Sequence, residues 1–263
     1  MINRQIIVIG GGMVGALTAL LLAKQGFVIH LIEKAPDIPD LDSPFDLRVS
    51  AFSAQSKLLL EQAGVWDKLP QTRLRAYHGL QTWERGSHKL SFDSKELDLQ
   101  ALGYIAENRL VQAVLWQSLK DLDNVVLHEK RTLLSIKQDL EKVTVTLDNQ
   151  QVIDAELLIG CDGANSVTRR LLDIGVTAWQ YRQHCMLINI KTDKQQHKVN
   201  TSNQINDDRG ITWQEFRETG PCAFLPLAGD NASLVWYHSP EKIKQLLSLN
   251  NTQLKKQTIV RVS

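Results

Sequence analysis

The beginning of the chain alternates short apolar runs with a helical pattern. The β-branched run at residues 5–9 predicts a strand buried on both faces, and the Ala- and Leu-rich residues 13–24 predict a helix that ends at Gly26. Residues 27–33 predict a second strand. This order predicts a βαβ unit, which is typical of a parallel sheet covered by helices.

Later segments mix both kinds of pattern. Helices are predicted at residues 53–63, 108–122 and 239–248. Strands are predicted within 80–92 as a hairpin, and at 125–128, 133–138, 142–148, 151–154, 157–159, 186–191, 211–216 and 234–237. The proline-rich residues 35–45 and the polar residues 194–209 predict loops.

Composition narrows the class of protein. The chain has 263 residues, 43% of them hydrophobic, with 30 Lys and Arg against 29 Asp and Glu. Because the net charge is only +1, no nucleic-acid partner is expected, and the apolar fraction is too high for a disordered chain. The chain has three widely spaced cysteines, Cys161, Cys185 and Cys222. Their odd number and spacing do not support a disulfide framework, so a reducing compartment is expected.

The apolar run at residues 6–22 is divided by glycines and lacks the flanks of a signal peptide. It therefore predicts a strand followed by a helix rather than a membrane span. We expect a cytoplasmic protein with at most peripheral contact at the inner face of the membrane.

A glycine-rich motif lies between the first predicted strand and helix. It has the spacing GxGxxG and reads Gly10-Gly11-Gly12-Met13-Val14-Gly15. Gly10 permits the tight turn, Gly12 lets the backbone approach a pyrophosphate, and Gly15 allows close helix–strand packing. Glu33, 18 residues beyond Gly15, would bind ribose hydroxyls and repel a 2′-phosphate. The motif predicts a site for FAD or NAD, with a glycine turn that binds nothing as the alternative.

Two further positions carry candidate chemistry. Asp162 and Gly163 follow a predicted strand, so they would lie at the crevice where α/β sheets bind ligands. An ordinary turn in which Asn165 or Ser166 caps the next helix explains the same residues. Arg48 either neutralises a cofactor phosphate or is a solvated surface arginine.

Other catalytic classes lack support in the sequence. The seven histidines have no metal-binding spacing, so no metal site is expected, and no GxSxG nucleophile motif occurs. The tryptophans at positions Trp83, Trp179, Trp213 and Trp236 are expected in the core.

Together these motifs resemble the aromatic-ring hydroxylases of the FAD-dependent monooxygenase class. The resemblance depends on the glycine motif with Glu33, on the segment that starts at Arg48, and on the Asp162 segment. Other stretches resemble the ubiquinone-biosynthesis hydroxylases of that class, and the similarity runs from residue 6 to about residue 255. These stretches are Gly103-Tyr104-Ile105-Ala106-Glu107-Asn108, Ala178-Trp179-Gln180-Tyr181, Gly220-Pro221-Cys222-Ala223-Phe224-Leu225-Pro226-Leu227 and Ala232-Ser233-Leu234-Val235-Trp236-Tyr237.

The resemblance implies an FAD-dependent hydroxylation of a prenylated benzoquinol, with NAD(P)H and O₂ as co-substrates, through a flavin hydroperoxide. Other ubiquinone-biosynthesis proteins are implied as partners. The implied cofactor-binding residues are Gly10, Gly12, Met13, Val14, Gly15, Glu33, Lys34, Arg48, Asn108, Asp162 and Gly163. No catalytic acid or base is assigned, because the hydroxyls of a quinol already activate its ring.

The resemblance also implies an α/β fold with an α+β insert, in which a Rossmann-like FAD-binding domain carries a β-rich substrate domain. We expect the FAD-binding domain at residues 1–75 and 106–178, and the substrate domain at 76–105 and 179–263. The family has a third flavin motif, Gly-Asp followed by small residues and His-Pro. Gly229-Asp230 lies between substrate-domain stretches and is rejected as that motif. We therefore expect a C-terminally shortened member that lacks the last part of the family fold.

Two alternatives remain open. One is a truncated or non-catalytic FAD-binding remnant of the family. The other is an NAD-dependent dehydrogenase built on the same βαβ unit, which is weaker because no Tyr-x-x-x-Lys or His-Asp arrangement stands out.

Overall fold

The computed structural model describes residues 4–35, 44–84, 88–192 and 210–262, with side chains as far as residue 257. The predicted loop at 194–209 and most of the one at 35–45 lie outside these ranges. The chain divides into two compact units. Unit 1 comprises Met1–Arg73 and Ala106–Thr177, and unit 2 comprises Leu74–Ile105 and Ala178–Ser263.

Both units contain strands. In chain order they are β1 Gln5–Ile9, β2 Val28–Glu33, β3 Val49–Ser53, β4 Arg75–Glu84, β5 Leu90–Asp93, β6 Gly103–Glu107, β7 Val125–Glu129, β8 Leu133–Gln138, β9 Val143–Leu147, β10 Val152–Ala155, β11 Leu157–Gly160, β12 His184–Lys191, β13 Gly210–Phe216, β14 Cys222–Pro226 and β15 Asn231–His238.

The helices are α1 Met13–Lys24, α2 Ala54–Gln62, α3 Asn108–Lys120, α4 Val167–Leu171, α5 Pro240–Leu247 and α6 Asn251–Val262. Short 3-10 turns occur at Trp66–Lys68, Gln71–Arg73 and Ser94–Leu97.

Unit 1 is built on a parallel sheet in the order β11-β1-β2-β7. Ile7 and Ile9 of β1 pack on one face against the antiparallel sheet β10-β9-β8, where Val145 and Leu147 are fully buried. Alternation places Ile6 and Val8 on the opposite face, and α1 and α3 pack against each other in the same unit. Burial on both faces explains why β1 is apolar throughout, and it confirms the predicted βαβ unit.

Unit 2 is built on a mixed sheet in which the strand order is β12-β15-β14-β13-β4-β6, with β5 paired to β4. One face carries Leu234, Trp236 and Cys222, which pack against Ile243 and Leu246 of the amphipathic helix α5. The predicted hairpin within 80–92 is confirmed as the antiparallel pair β4 and β5.

The structure corrects one prediction about the core. Trp236 is buried, but Trp179 is 71% exposed and contacts Tyr181 edge to face. It lies in a stretch without regular structure between α4 and β12, so neither a helix nor a strand carries it into a core.

Several elements went unpredicted, namely β3, β6, β14 and α6. Gly229, with φ +66°, lies in the turn between β14 and β15, which agrees with rejecting Gly229-Asp230 as a flavin motif.

Candidate functional site

The loops after β1 and β11 meet at the carboxyl edge of the parallel sheet. Ile9 pairs with Gly160 on one side and with Ile32 on the other. The amide of Gly10 donates to the Ile32 carbonyl at 2.8 Å, and the amide of Cys161 donates to the Ile9 carbonyl at 2.7 Å. This pairing brings the glycine motif, Glu33 and Asp162 to the same edge.

The glycines of the motif have different surroundings. A Cβ on Gly10, whose φ is +97°, would lie 2.5 Å from the Cys161 carbonyl oxygen, and a Cβ on Gly15 would overlap the Gly10 carbonyl. A Cβ on Gly12 would meet nothing within 4 Å. Gly10 and Gly15 are therefore required by the fold itself, whereas Gly12 borders open space.

Helix α3 holds the peptide that follows Gly11. The Gly11 carbonyl accepts hydrogen bonds from Trp116 Nε1 at 2.7 Å and from Gln112 Nε2 at 2.9 Å. Because a trans peptide is planar, with its C=O and N–H opposed, this carbonyl orientation directs the Gly12 N–H away from α3.

The N-terminus of α1 is open to an anion. Gly12 is its N-cap and receives no side-chain capping bond, so the amides of the first turn are not satisfied by a cap. Met13 is half-buried and Val14 is exposed at this end. Such a terminus combines N–H donors with the positive end of the helix dipole, which suits a pyrophosphate.

Glu33 ends β2 beside this loop. Its Oε2 accepts the Gly11 amide at 2.5 Å, and its Oε1 accepts the Ala35 amide at 2.8 Å. A carboxylate has about four acceptor positions, so two remain for the hydroxyls of a ribose. Lys34 follows as an exposed residue.

Asp162 uses its carboxylate within its own loop. Oδ1 accepts from Ser166 Oγ at 2.6 Å, and Oδ2 accepts from the amides of Val167 at 2.7 Å and Thr168 at 2.9 Å. Burial raises the pKa of this carboxyl, but the hydrogen bonds from Ser166 and Thr168 outweigh it, so the pKa is lowered. Gly163, with φ +81°, is exposed at the tip. Asp162 therefore anchors the start of α4, which Ser166 caps.

Arg48 and Asn108 meet through the backbone. The amide of Asn108 donates to the Arg48 carbonyl at 3.0 Å, and the Arg48 side chain is exposed. Asn108 begins α3 and shares one helix face with Gln112 and Trp116, at i, i+4 and i+8. Its Oδ1 is buried and has no hydrogen-bond partner among the described residues.

These features together fit a dinucleotide cofactor. Open space at Gly12, an uncapped helix N-terminus, spare acceptor positions on Glu33 and the unpartnered Asn108 oxygen lie within unit 1. They match the phosphate, ribose and polar groups of such a molecule. The residues present therefore fit a dinucleotide such as FAD.

Comparison with known protein families identifies the one to which this chain belongs. A family model described as the FAD binding domain matches residues 3–253. The chain belongs to the FAD-binding domain family.

Relatives within this FAD-binding family include ubiquinone-biosynthesis enzymes. The chain is 43% identical to 3-demethoxyubiquinol 3-hydroxylase of Escherichia coli (strain K12) over 95% of its own length and 61% of the relative's. It is 30% identical to the mitochondrial ubiquinone biosynthesis monooxygenase COQ6 of Danio rerio, covering 93% of this chain and 51% of that one. The chain thus spans half to three fifths of these relatives, and the resemblance predicted from its motifs is confirmed.

A solved structure supports the same fold. PqsL of Pseudomonas aeruginosa, in complex with 2-aminobenzoylacetate, superposes with a TM-score of 0.72 at 20% identity, over 93% of this chain and 63% of that one. At this identity the likeness concerns the fold. It supports the predicted α/β architecture of an FAD-binding protein.

Sequence reasoning missed Gln112 and Trp116 of this FAD-binding fold. Both lie about a hundred positions from Gly11, which they contact. The polar pair Asn108 and Gln112, spaced i, i+4 on this amphipathic helix, is a weak sequence signal for that contact. Trp116 resembles any core tryptophan in sequence.

Within the described ranges no helix has the length and apolar character to cross a membrane. Nor do those residues group three or more His, Cys, Asp or Glu side chains in a metal-binding arrangement.

Proposed function

We propose that this chain carries the FAD-binding and substrate-binding parts of a monooxygenase that hydroxylates a prenylated benzoquinol ring in ubiquinone biosynthesis, with NAD(P)H and O₂ as co-substrates. The observation that carries the proposal is the 43% identity to a 3-demethoxyubiquinol 3-hydroxylase over 95% of this chain. That relative's name specifies both a quinol and its hydroxylation. The dinucleotide-binding features of unit 1 supply the matching cofactor site.

FAD, when bound, supplies the redox chemistry between NAD(P)H, O₂ and the quinol. The chain's own residues bind and orient it. Amides at the start of α1, including that of Gly12, donate to the pyrophosphate, and Glu33 accepts from the ribose hydroxyls. Arg48 adds positive charge, and Asn108 Oδ1 accepts a hydrogen bond from the cofactor. Gly163 provides bare backbone at the same sheet edge.

Unit 2 is proposed to bind the quinol. On the sheet face turned away from α5, the buried hydroxyls of Thr82 and Ser233 have no partner among the described residues. The same face carries the half-buried aliphatic side chains Leu187, Leu225 and Val235. Hydroxyl groups among aliphatic side chains suit a hydroxylated ring with an apolar tail. No acid or base residue is assigned, since the quinol hydroxyls activate the ring.

The test uses the purified chain with added FAD. We expect a flavin absorbance spectrum between the near ultraviolet and 500 nm, and NAD(P)H oxidation stimulated by a short-chain prenylated quinol, with one added oxygen atom in the product by mass spectrometry. Flavin uptake without quinol-stimulated oxidation would favour the non-catalytic alternative. NAD-dependent oxidation without flavin would favour the dehydrogenase and contradict the proposal.

A further inference from the structure

A cluster of charged side chains in unit 1 lies outside the glycine motif. It surrounds residues 44–48, the segment that leads to Arg48. Hydrogen bonds to neighbouring residues of unit 1 fasten this segment. The Pro44 carbonyl accepts from Arg109 Nη2 at 2.6 Å, the Asp46 amide donates to Glu107 Oε1 at 2.7 Å, and the Arg48 carbonyl accepts from the Asn108 amide at 3.0 Å.

Glu107 is the centre of this cluster. Its side chain is 1% exposed, and Arg73 binds it in a two-pronged ion pair, Nε to Oε2 at 2.7 Å and Nη2 to Oε1 at 2.7 Å. Arg109 Nη2 lies 3.8 Å from Glu107 Oε1, and Arg109 Nε lies 3.6 Å from Asp46 Oδ2. The Arg73 guanidinium also stacks over the Phe45 ring at 4.7 Å. Each of these groups contacts either the 44–48 segment or Glu107.

The position of Glu107 links this cluster to the cofactor site. Glu107 is the N-cap of α3, directly before Asn108. It therefore fixes both the segment that carries Arg48 and the helix end that carries the unpartnered Asn108 oxygen. A buried carboxylate held by a bidentate arginine and a backbone amide has one favoured geometry, and loss of one partner leaves an uncompensated charge.

We propose that Glu107, through its ion pair with Arg73, is a positioning residue that holds Arg48 and Asn108 in place for the flavin. The proposal rests on the proposed function for the roles of Arg48 and Asn108. Glu107 acts through those two residues and makes no contact with the cofactor itself.

The first test needs no FAD. In Glu107→Gln, amide hydrogen exchange of the cofactor-free protein should rise at Asp46 and Asn108, while exchange in β1 and β9 stays as in the wild type. Arg73→Lys is a second, milder variant, since it keeps the positive charge opposite Glu107 and loses the two-pronged geometry. Unchanged exchange at Asp46 and Asn108 in both variants would overturn the proposal.

The second test is a double-mutant cycle with FAD affinity as the readout. Glu107→Gln should weaken FAD binding about tenfold, a coupling of the size seen between residues in one network. In an Arg48→Ala, Asn108→Ala background the same substitution should change FAD affinity less than about twofold. An equal loss in both backgrounds would mean that Glu107 acts only on general stability, which contradicts a positioning role.

The matched control is Glu129→Gln, which removes an exposed ion pair with Lys120 in the same unit. It should leave both exchange and FAD affinity unchanged. The two proposals fail differently. Wild-type chain that binds FAD but shows no quinol-stimulated oxidation contradicts the proposed function, whereas the exchange result at Asp46 and Asn108 decides the role of Glu107.

Discussion

Two neighbouring loops at the carboxyl edge of the unit 1 sheet place an acidic residue in different situations. Glu33, beside the loop after β1, accepts one amide on each oxygen. Asp162, in the loop after β11, accepts one hydroxyl on Oδ1 and three groups on Oδ2, the third being Thr168 Oγ1 at 3.1 Å. Glu33 therefore keeps acceptor positions for a ligand. Most acceptor positions of Asp162 are occupied by donors at the start of α4.

The difference teaches how to interpret a motif residue. Both acids occupy positions at which the family resemblance implies cofactor contact. From these hydrogen bonds we infer that Glu33 would contact a cofactor through its side chain. Asp162 would act indirectly, by shaping the backbone that presents Gly163. Substitutions should therefore separate cofactor affinity from folding stability differently in the two loops.

The largest effect is expected at the glycines. Gly15→Val should lower the free energy of unfolding by about 3 kcal/mol, because its side chain overlaps the Gly10 carbonyl. Gly12→Val faces open space, so it should change that free energy by less than about 1 kcal/mol and yet abolish FAD retention. Urea unfolding and flavin absorbance after gel filtration measure the two quantities. Retention of FAD by Gly12→Val would refute its assigned role.

Glu33→Ala should weaken FAD binding by about 1–3 kcal/mol, the scale for losing a half-buried hydrogen-bonding carboxylate. Glu33→Gln keeps the size of the side chain and one acceptor oxygen. Its FAD affinity should therefore lie between those of the wild type and the alanine variant. Fluorescence titration with FAD measures both. An alanine variant with wild-type affinity would remove the contrast with Asp162.

Asp162→Asn should cost about 1–2 kcal/mol of folding stability, the scale of a lost helix cap, with a smaller loss of FAD affinity than Glu33→Ala. The pH dependence has a definite sign. Because the folded-state pKa is lowered from its ordinary 3.8, the contribution is present above that value and is lost as the pH falls through the folded-state pKa. Urea unfolding at pH 5 and pH 3 should show the wild type and the variant converging in acid. Equal differences at both pH values would contradict this account.

The smallest effect is expected from Trp116→Phe, which removes the Nε1 donor to Gly11 and keeps an aromatic ring. FAD binding should weaken by about 1 kcal/mol, the net worth of one hydrogen bond, because Gln112 still holds the carbonyl. Trp236→Phe, at a buried tryptophan of unit 2, is the control and should leave FAD affinity unchanged. A loss of affinity in the control alone would reject the role given to Trp116.

Local pattern was sufficient where neighbours in sequence are neighbours in space. Strand β1, helix α1 and the glycine motif follow from residues 5–24, since the strand, the helix and the turn each carry their own signal. The Trp116 bond to Gly11 and the Arg73 pair with Glu107 span 105 and 34 positions, and periodicity carries no information on such pairings. Trp179 was wrongly placed in the core for a related reason. The average burial of tryptophan does not apply in a stretch without regular structure.

The bond between Trp116 and Gly11 also bears on the order of events during synthesis. Strand β1 and helix α1 leave the ribosome early, but the carbonyl that orients the Gly12 amide stays unheld until α3 has emerged 105 residues later. The close packing of Gly10 forms later still, because its partner Cys161 follows β11 in the chain. A nascent chain released before that point would contain the complete glycine motif without the contacts that hold Gly10 and the Gly11 carbonyl in the folded protein.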